Sequence, residues 1–468
     1  RHPRGRYHTV VFGGPLLDAE LSIYLPTEDG IRKFARNGTM QWLYQPSGRI
    51  TSCPSLFNGA LFGSTLGGAV FSVDMESGSE RWSARVADSV GNDLSYVGAH
   101  GDVVVLAARP PPDPDFFGGG NELVFGLNAS DGGVLWQFEP GAPVWNFMAL
   151  FAGDGTLIFQ DQNSGVYRLD LHSGNLIWRA GRSGGRTWTD GGAILGPNNV
   201  VYAVSASGPL GKYTHTFSGG LHAFRLSDGQ PLWERTLPRP VYTWAAVGRL
   251  RPGAGLSVVT GCGANPGPPV QLVAVVGAVG GGVLGLALCL AVGLIRGLCT
   301  GPWGCCCLQC CCRSARKGLR GAVLAATVGS ILASAIYLLV MPAWHNEVWA
   351  FDAETGDAQW SAELPPWRWP SAAGDEAGFL PRLWRGARAM YMPGSLSSPT
   401  IDGAGTVYIG HLSGRIYALR DADGDGRVQG SAELAAFDAG SCFFHPGASL
   451  APGVFAIASC DELHVFDT

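Results

Sequence analysis

The chain has 468 residues and a formal net charge of −5, so it offers no strongly basic surface, and we exclude nucleic acid as a partner. Only 15% of the residues are charged, against about 25% in typical soluble domains, whereas 69 residues are glycine. Frequent glycine-containing turns between short apolar runs indicate an all-β protein. Because the chain begins at Arg1 rather than Met, we expect any signal peptide to lie upstream.

A turn motif recurs along the chain, in which a glycine is followed four residues later by a tryptophan. Runs of β-branched and aromatic residues precede each turn and predict antiparallel strands joined by tight turns. Glycine suits a turn position with positive φ, and tryptophan can pack between neighbouring sheets while its indole N–H finds an acceptor. Six pairs keep this spacing: Gly38/Trp42, Gly78/Trp82, Gly132/Trp136, Gly174/Trp178, Gly229/Trp233 and Gly356/Trp360.

Two weaker copies, residues 414–428 and 462–468, bring the number of units to eight. The first has Val428 in place of the tryptophan, and the second ends before its turn. We expect the apolar stretch HTVVFGG (8–14) to supply a last strand and close a ring. Radial repetition of four-stranded sheets avoids exposed edges, so the pattern predicts an all-β, eight-bladed β-propeller of four-stranded antiparallel blades.

The stretches VYIGHLSGRIYALR (407–420) and EVWAFDAETGDAQW (347–360) resemble the pyrroloquinoline-quinone (PQQ) type repeat. The consensus of that repeat is V-Y-x-G-x-x-x-G-x-L/V-Y-A-L/F-D-A/L-x-S/T-G-x-x-x-W. The resemblance implies an eight-bladed propeller, as in quinoprotein alcohol dehydrogenases and in the lipoprotein of the bacterial outer-membrane assembly machine. These relatives include enzymes and scaffolds, so the resemblance alone does not choose between the two.

One long interruption separates Trp233 from Trp360, which are 127 residues apart, whereas the other successive pairs are 40 to 55 apart. Residues 270–295 and 321–341 contain no charge, and each is long enough to span a membrane as a helix, with a buried core helix as the alternative. Basic residues in the loop 296–320 predict that this loop is cytosolic. The propeller, in two parts at 1–262 and 346–468, is then lumenal or extracellular, and 263–345 is a transmembrane hairpin.

The interruption falls between the second and third strands of its blade, where residues 107–119 and 207–220 form smaller insertions. We therefore expect this rim to face the membrane. Small residues at Gly277, Gly281 and Gly285 would allow the two helices to approach closely.

Cysteines cluster in the loop between the two spans. Their position beside a membrane favours reversible S-palmitoylation of Cys305, Cys306, Cys307, Cys310, Cys311 and Cys312. The CxxC spacing within this cluster leaves a zinc or iron–sulfur site as the alternative, although a second ligand pair and a histidine are missing. Asn37 and Asn128 stand in N-glycosylation sequons. Cys442 and Cys460 could form a disulfide in the same lumenal compartment, and pairings with Cys53 or Cys262 are equally open.

An acidic stretch near the C-terminus has the start of a calcium-binding loop. Asp421, Asp423 and Asp425 offer oxygen ligands at alternate positions, and Glu433 follows one residue later than in an EF-hand. We expect calcium here, with an acidic exposed turn as the alternative.

Three further tryptophans, Trp145, Trp188 and Trp244, follow repeat tryptophans by about ten residues and are expected near the central channel. They could line a pocket for a flat ligand, but packing between blades is the favoured interpretation. The long connection 367–388 mixes tryptophan and arginine. We expect a surface loop there, with contact to a partner or to lipid headgroups as the alternative.

A quinoprotein enzyme of this type would need adjacent cysteines inside the propeller, a calcium-binding carboxylate and amide beside the quinone, and a catalytic aspartate. The only adjacent cysteines lie in the membrane loop, so PQQ is not expected. The sequence therefore favours a membrane-anchored, non-catalytic binding or scaffold module that contacts lipid and binds a protein through its loops. The alternative is a membrane-bound PQQ-dependent dehydrogenase that oxidises an alcohol or sugar.

Overall fold

The computed structural model describes residues 9–468 except 12, 91–94, 110–119, 182–186, 191, 208–217, 300–307, 342, 392 and 444. Within the two long helices it describes no side chains at 285, 286, 288–299 and 308–319. Eight antiparallel sheets follow one another in chain order, each built from consecutive strands. This arrangement confirms the eight-bladed propeller.

The first four blades contain strands β1 to β16, four in each blade. In chain order these are Leu16–Leu17, Ile23–Thr27, Gly30–Phe34, Met40–Tyr44, Ser55–Phe57, Ala60–Ser64, Ala69–Asp74, Glu80–Arg85, Gly98–His100, Val103–Ala108, Leu123–Asn128, Val134–Phe138, Leu150–Phe151, Thr156–Gln160, Gly165–Asp170 and Leu176–Gly181.

The last four blades contain strands β17 to β32. The first position of the fifth blade is divided between β17 and β18, and the eighth blade has three strands among the described residues. In chain order these are Thr187–Trp188, Ala193–Leu195, Val200–Ser207, Ser218–Arg225, Pro231–Leu237, Ala246–Gly248, Ser257–Gly263, Trp344–Asp352, Ala358–Trp367, Thr400–Ile401, Val407–Gly410, Arg415–Leu419, Leu434–Asp438, Ser449–Ala451, Val454–Ala458 and Leu463–Phe466.

The repeat tryptophan joins each blade to the next one. A Cβ added at Gly174 would lie 2.6 Å from the Trp136 ring, and Trp136 Nε1 donates to the Leu171 carbonyl at 2.8 Å. All six repeat glycines have φ between 70° and 82°, the left-handed region that favours glycine. The same two contacts occur at five successive blade interfaces, where Trp42, Trp82, Trp136, Trp178 and Trp233 donate to the carbonyls of Met75, Ala129, Leu171, Leu226 and Ala353.

The ring closes differently from the prediction. The described residues of the stretch 8–14 form no strand, so the expected last strand was wrong. Val11 N–H instead donates to the Cys460 carbonyl at 3.1 Å, and the Val10 carbonyl accepts from Glu28 N–H at 3.0 Å. Apolar Val10 is fully buried and lies between the last and first blades, so this segment fills the inner end of the joint rather than extending a sheet.

Two long helices interrupt the sixth blade between its second and third strands, β23 and β24. Helix α1 is Val270–Cys299 and helix α2 is Leu308–Val340. The strands on either side still pair with each other, since Gly263 lies opposite Asn346. Among the described residues, Arg320–Val340 is the one helical segment long and apolar enough to cross a membrane, and a shorter apolar segment covers Val270–Leu284.

Small residues bring α1 and α2 together. A Cβ added at Gly277 would lie 2.5 Å from the Gly329 carbonyl oxygen, and one at Gly281 would lie 2.3 Å from the Ala325 carbonyl oxygen. Only glycine at these two positions permits this separation of the helices.

The connection 367–388 is not the loop that the sequence predicts. Strand β25 continues to Trp367, and a third helix, α3, covers Asp375–Trp384. Its N-terminus follows Gly374, which has φ 87°, and acidic Asp375 and Glu376 occupy the first turn, where they complement the positive end of the helix.

Candidate functional site

The centre of the ring is occupied by side chains from blades that are far apart in the chain. Tyr96 and Trp244 contact each other edge to face, with ring centroids 5.2 Å apart, and Trp244 lies 6.2 Å from the His445 ring. His445 Nε2 lies 3.2 Å from Asp190 Oδ2. Tyr96, Trp244 and His445 precede the third, sixth and eighth blades, and Asp190 lies between β17 and β18 of the fifth blade. Their contacts therefore cross the middle of the propeller. We call these four residues the central cluster.

The central cluster combines aromatic surface with buried polar atoms. Asp190, Trp244 and His445 are buried. The indole N–H of Trp244 and Nδ1 of His445 have no hydrogen-bond partner among the described residues, which leaves polar groups beside the rings. These contacts agree with the packing role that the sequence favours for Trp244.

Of the three tryptophans predicted near the channel, Trp244 belongs to the central cluster. Trp188 contacts Tyr242 edge to face at 5.6 Å, and Trp145 is half-buried.

The acidic stretch forms a compact loop between β28 and β29 of the seventh blade. Oxygen atoms of Asp421, Asp423 and Glu433 lie within 4.8 Å of one another, a group that could hold a metal ion. Asp425 is not part of this group. Its Oδ1 accepts from Arg427 N–H at 2.7 Å. The structure thus brings together three of the four predicted ligands.

All three carboxylates already have hydrogen-bond partners, and Asp423 Oδ1 accepts from Asp425 N–H at 3.0 Å. Glu433 accepts from the N–H groups of Gln429 and Ala422, and these bonds lower the pKa of the Glu433 carboxyl. Asp421 Oδ2 accepts from Arg251 at 3.1 Å. Because ligand oxygens must be available to a cation, these partners compete with metal binding.

The acidic loop also replaces the glycine turn at its blade interface. Ser361 N–H donates to the Gly426 carbonyl at 3.2 Å, and Val428 N–H donates back to the Ser361 carbonyl at 3.0 Å. Val428 packs in the same apolar cluster as Trp360. The loop therefore joins the outer strand of the sixth blade to the seventh, at the rim rather than at the channel.

Comparisons with known proteins agree with this architecture. The family model described as outer membrane protein assembly factor BamB matches residues 113–254. Among solved structures, BamB from Moraxella catarrhalis has a TM-score of 0.51 at 15% identity, with 97% of this chain and 96% of that chain covered. The chain therefore has the propeller fold, and the match over residues 113–254 supports repeats of the PQQ type.

Two other solved structures, an enzyme and a designed protein, share this fold. A quinohemoprotein alcohol dehydrogenase from Pseudomonas putida HK5 has a TM-score of 0.51 at 10% identity and covers 95% of this chain and 68% of its own. The computationally designed Ika8 protein has a TM-score of 0.56 at 9% identity, with 99% and 98% covered. At these identities the likeness concerns the fold alone.

Two curated proteins are similar in sequence. Tetrathionate hydrolase of Acidithiobacillus ferrooxidans is 24% identical over 242 residues, which are 48% of this chain and 42% of that protein. Outer membrane protein assembly factor BamB of Nitrosomonas eutropha is 24% identical over 226 residues, 46% of this chain and 49% of its own. The match spans less than half the length of either protein.

The remaining predicted sites of the PQQ-type propeller lie at its turns and in the hairpin. Asn37 is exposed in the turn between β3 and β4. Asn128 ends β11 half-buried, and its Oδ1 accepts from Ser130 N–H. Cys305, Cys306 and Cys307 lie outside the described residues, whereas Cys310, Cys311 and Cys312 lie on α2 at positions whose side chains are not described.

A cleft that the sequence did not indicate lies between the fourth and fifth blades, with a volume of about 500 Å³. On its wall, Ser205 Oγ lies 2.9 Å from His222 Nε2, and His222 Nδ1 lies 3.7 Å from Glu234 Oε2. The order of groups is that of a hydrolase triad, but 3.7 Å exceeds hydrogen-bond distance. The three residues stand on neighbouring strands β19, β20 and β21, and cross-strand pairing accounts for them.

Proposed function

We propose that this PQQ-type propeller is a membrane-anchored, non-catalytic binding module that presents its loops to a protein partner. The observation that carries the proposal is the uncovered hairpin. The segment Arg320–Val340 has a mean hydropathy of 2.2, and no residue in its most apolar part is buried. Leu339, near its end, is 83% exposed. Soluble proteins rarely leave apolar surfaces of this extent open to water.

Helix packing and chain topology support insertion of both helices. Gly277 and Gly281 lie against Gly329 in the close contact that is typical of membrane helix pairs. The strand pairing of Gly263 with Asn346 supports two crossings, since the chain must return to the side on which it started. The basic loop between the helices then lies in the cytosol, where its cysteines are accessible to palmitoylation, and the glycosylation sequons lie on the other side.

The proposed partner is a protein. Similarity to proteins named as outer membrane protein assembly factors supports this class of function. The propeller supplies a rigid ring of sheets, and loops on such a scaffold are suited to binding.

The centre of the ring supports a non-catalytic role. Tyr96, Trp244, His445 and Asp190 contact one another there across the ring. The acidic loop that could hold calcium lies at the rim, and the propeller sequence has no adjacent cysteine pair. These features support a role without a bound quinone.

The topology is tested with membranes that contain the full chain. We expect the protein to stay in the membrane after alkaline carbonate extraction, and a tag inserted within 297–320 to be cut by protease added on the cytosolic side. Release by carbonate would contradict anchoring, and a protected tag would contradict the orientation.

Enzymatic activity is tested separately. Addition of PQQ and calcium to the purified chain should give no dye-linked oxidation of alcohols or sugars and no quinone binding. Oxidation that requires both additions would establish the dehydrogenase instead.

We further propose that the acidic loop binds calcium through Asp421, Asp423 and Glu433. Calorimetric titration with Ca²⁺ should give binding that Asp423→Asn weakens at least about tenfold, because a carboxylate ligand is lost. Asp425→Asn is the matched control and should bind as the unaltered chain does. Absence of heat in the unaltered chain, or equal effects of the two substitutions, would leave the loop with its structural role alone.

A further inference from the structure

Helix α3 (Asp375–Trp384) has two different faces. Asp375, Gly378, Phe379 and Arg382 recur at helical spacing and are buried against the propeller. The opposite face is apolar and open: Leu380 is 60% exposed, Leu383 is 55% exposed and Trp384 is 94% exposed. Three large apolar side chains at i, i+3 and i+4 form one continuous stripe.

The inner face holds the helix in a fixed orientation. Arg382 is fully buried, and its Nη2 donates to Asp375 Oδ1 at 3.0 Å. The Arg382 guanidinium also stacks 3.8 Å from the centre of the Tyr391 ring. Asp375 Oδ1 accepts in addition from Tyr391 N–H at 2.8 Å. Because this buried pair fixes the rotation of α3, the apolar stripe cannot turn inward.

Helix α3 is attached to the first turn of α1. Glu376 Oε1 accepts from the N–H of Val270, the first residue of α1, at 3.0 Å. The Glu376 carbonyl accepts from the Gln271 side chain at 3.1 Å. Nearby, Tyr337 of α2 donates its hydroxyl hydrogen to the Pro268 carbonyl at 2.8 Å. The helix thus lies where both apolar helices meet the propeller.

Further tryptophans surround this junction. Trp344 follows the end of α2 by four residues, and its Nε1 donates to the Trp369 carbonyl at 2.9 Å. Trp344 also pairs with Trp367 across β24 and β25. Trp369 is exposed. Tryptophan concentrates at membrane–water interfaces, where the ring lies among the headgroups and the N–H remains hydrogen-bonded.

We infer that α3 lies in the lipid interface, with Leu380, Leu383 and Trp384 inserted among the headgroups beside the hairpin. This inference rests on the proposed membrane anchoring. The stripe belongs to α3, which is hydrogen-bonded to the first turn of α1. Val275 and Val276 of α1 are also exposed and apolar. One lipid surface would therefore cover the exposed apolar side chains of both helices. The exposed side chain of Arg385 follows the stripe directly and suits lipid phosphates. The lipid surface is the occupant, and it fixes the angle at which the propeller stands on the membrane.

The test uses the full chain in lipid nanodiscs whose acyl chains are brominated near the headgroup, since bromine quenches tryptophan fluorescence on contact. In Trp384→Phe, the tryptophan fluorescence that bromine quenches should decrease by about the contribution of one tryptophan. Trp42→Phe, at a blade interface, is the matched control and should leave that part unchanged. Because Trp384 is almost fully exposed, its substitution leaves the fold intact.

The outcomes separate the two proposals. If carbonate releases the chain, the membrane anchoring fails and this inference fails with it. If the chain is retained but Trp384→Phe and Trp42→Phe show equal quenching, anchoring stands and the lipid contact of α3 is overturned. A stripe that served a protein partner would give this second result, since the nanodiscs contain only the chain and lipid.

Discussion

Substitution of Gly174 by alanine should destabilise the propeller through the repeat tryptophan. Gly174 has φ 71°, and a residue with a Cβ loses roughly 1–2 kcal/mol in that conformation. The new Cβ would also lie 2.6 Å from the Trp136 ring, too close for an unstrained contact. Overpacking of this kind costs about 1–3 kcal/mol. We expect a total loss of roughly 2–5 kcal/mol of unfolding free energy.

Gly38→Ala is the matched control. Gly38 occupies the same turn position with φ 82°, but a Cβ there has nothing within 4 Å. The difference arises because no repeat tryptophan among the described residues lies against this turn. Gly38→Ala should therefore lose only the conformational part, about 1–2 kcal/mol.

Both variants are compared with the unaltered chain by guanidinium unfolding in detergent, followed by tryptophan fluorescence. The Gly174→Ala midpoint should be clearly the lower of the two, at unchanged dependence on denaturant concentration. Equal midpoints for the two variants would refute the view that the tryptophan stack holds the blades together.

Three further outcomes are expected. Burial lowers the pKa of His411 from 6.5 to about 3, so between these pH values unfolding takes up a proton. The free energy of unfolding should therefore fall by about 1.4 kcal/mol for each pH unit as the pH drops through this window. In His411→Gln, the dependence of the unfolding free energy on pH should be smaller by that amount. Gly281→Val should lower the thermal stability of the hairpin in detergent, because its Cβ would lie 2.3 Å from a backbone oxygen. Gly280→Val, whose Cβ would have nothing within 4 Å, should leave that stability unchanged. Similar effects of the two substitutions would argue against close helix packing. Cys442 and Cys460 have buried Sγ atoms 3.0 Å apart, so in an oxidising compartment non-reducing peptide mapping should find them linked, and two free thiols would contradict the lumenal placement.

The repeat could be predicted because its physics is local. A glycine with positive φ and a tryptophan four residues later belong to one turn, so spacing alone located six blades. The single irregular gap, between Trp233 and Trp360, located the hairpin, since an apolar insertion changes the spacing without changing the turns on either side.

Contacts between residues far apart in the chain could not be predicted from the sequence. Asp190 and His445 meet across the ring although 255 residues separate them. The pairing of Ser361 with the acidic loop was likewise not predictable. A D-x-D-x-D pattern indicates metal ligands, but it does not indicate that the backbone of the loop replaces a repeat turn.

Helix α3 was missed for a different reason. Its buried stripe contains Asp375, Gly378 and Arg382, whereas leucine and tryptophan face outward. Helix prediction assumes that apolar side chains face the protein. A sequence with polar residues on the buried face and apolar residues on the exposed face is therefore not predicted as a helix. The buried ion pair that explains this pattern is known only from the structure.

The position of the hairpin inside a blade affects how the protein is synthesised. Strand β23 ends at Gly263 and its partner β24 begins at Trp344, so the ribosome must add residues 264–343 before the two can pair. At about 5–20 residues per second, this takes roughly 4–16 s. During that interval β23 is the open edge of an unfinished ring, and such edges recruit foreign strands. If both helices cross the membrane as proposed, biogenesis should depend on their rapid insertion, and a single failed crossing would leave the last two blades on the wrong side of the membrane.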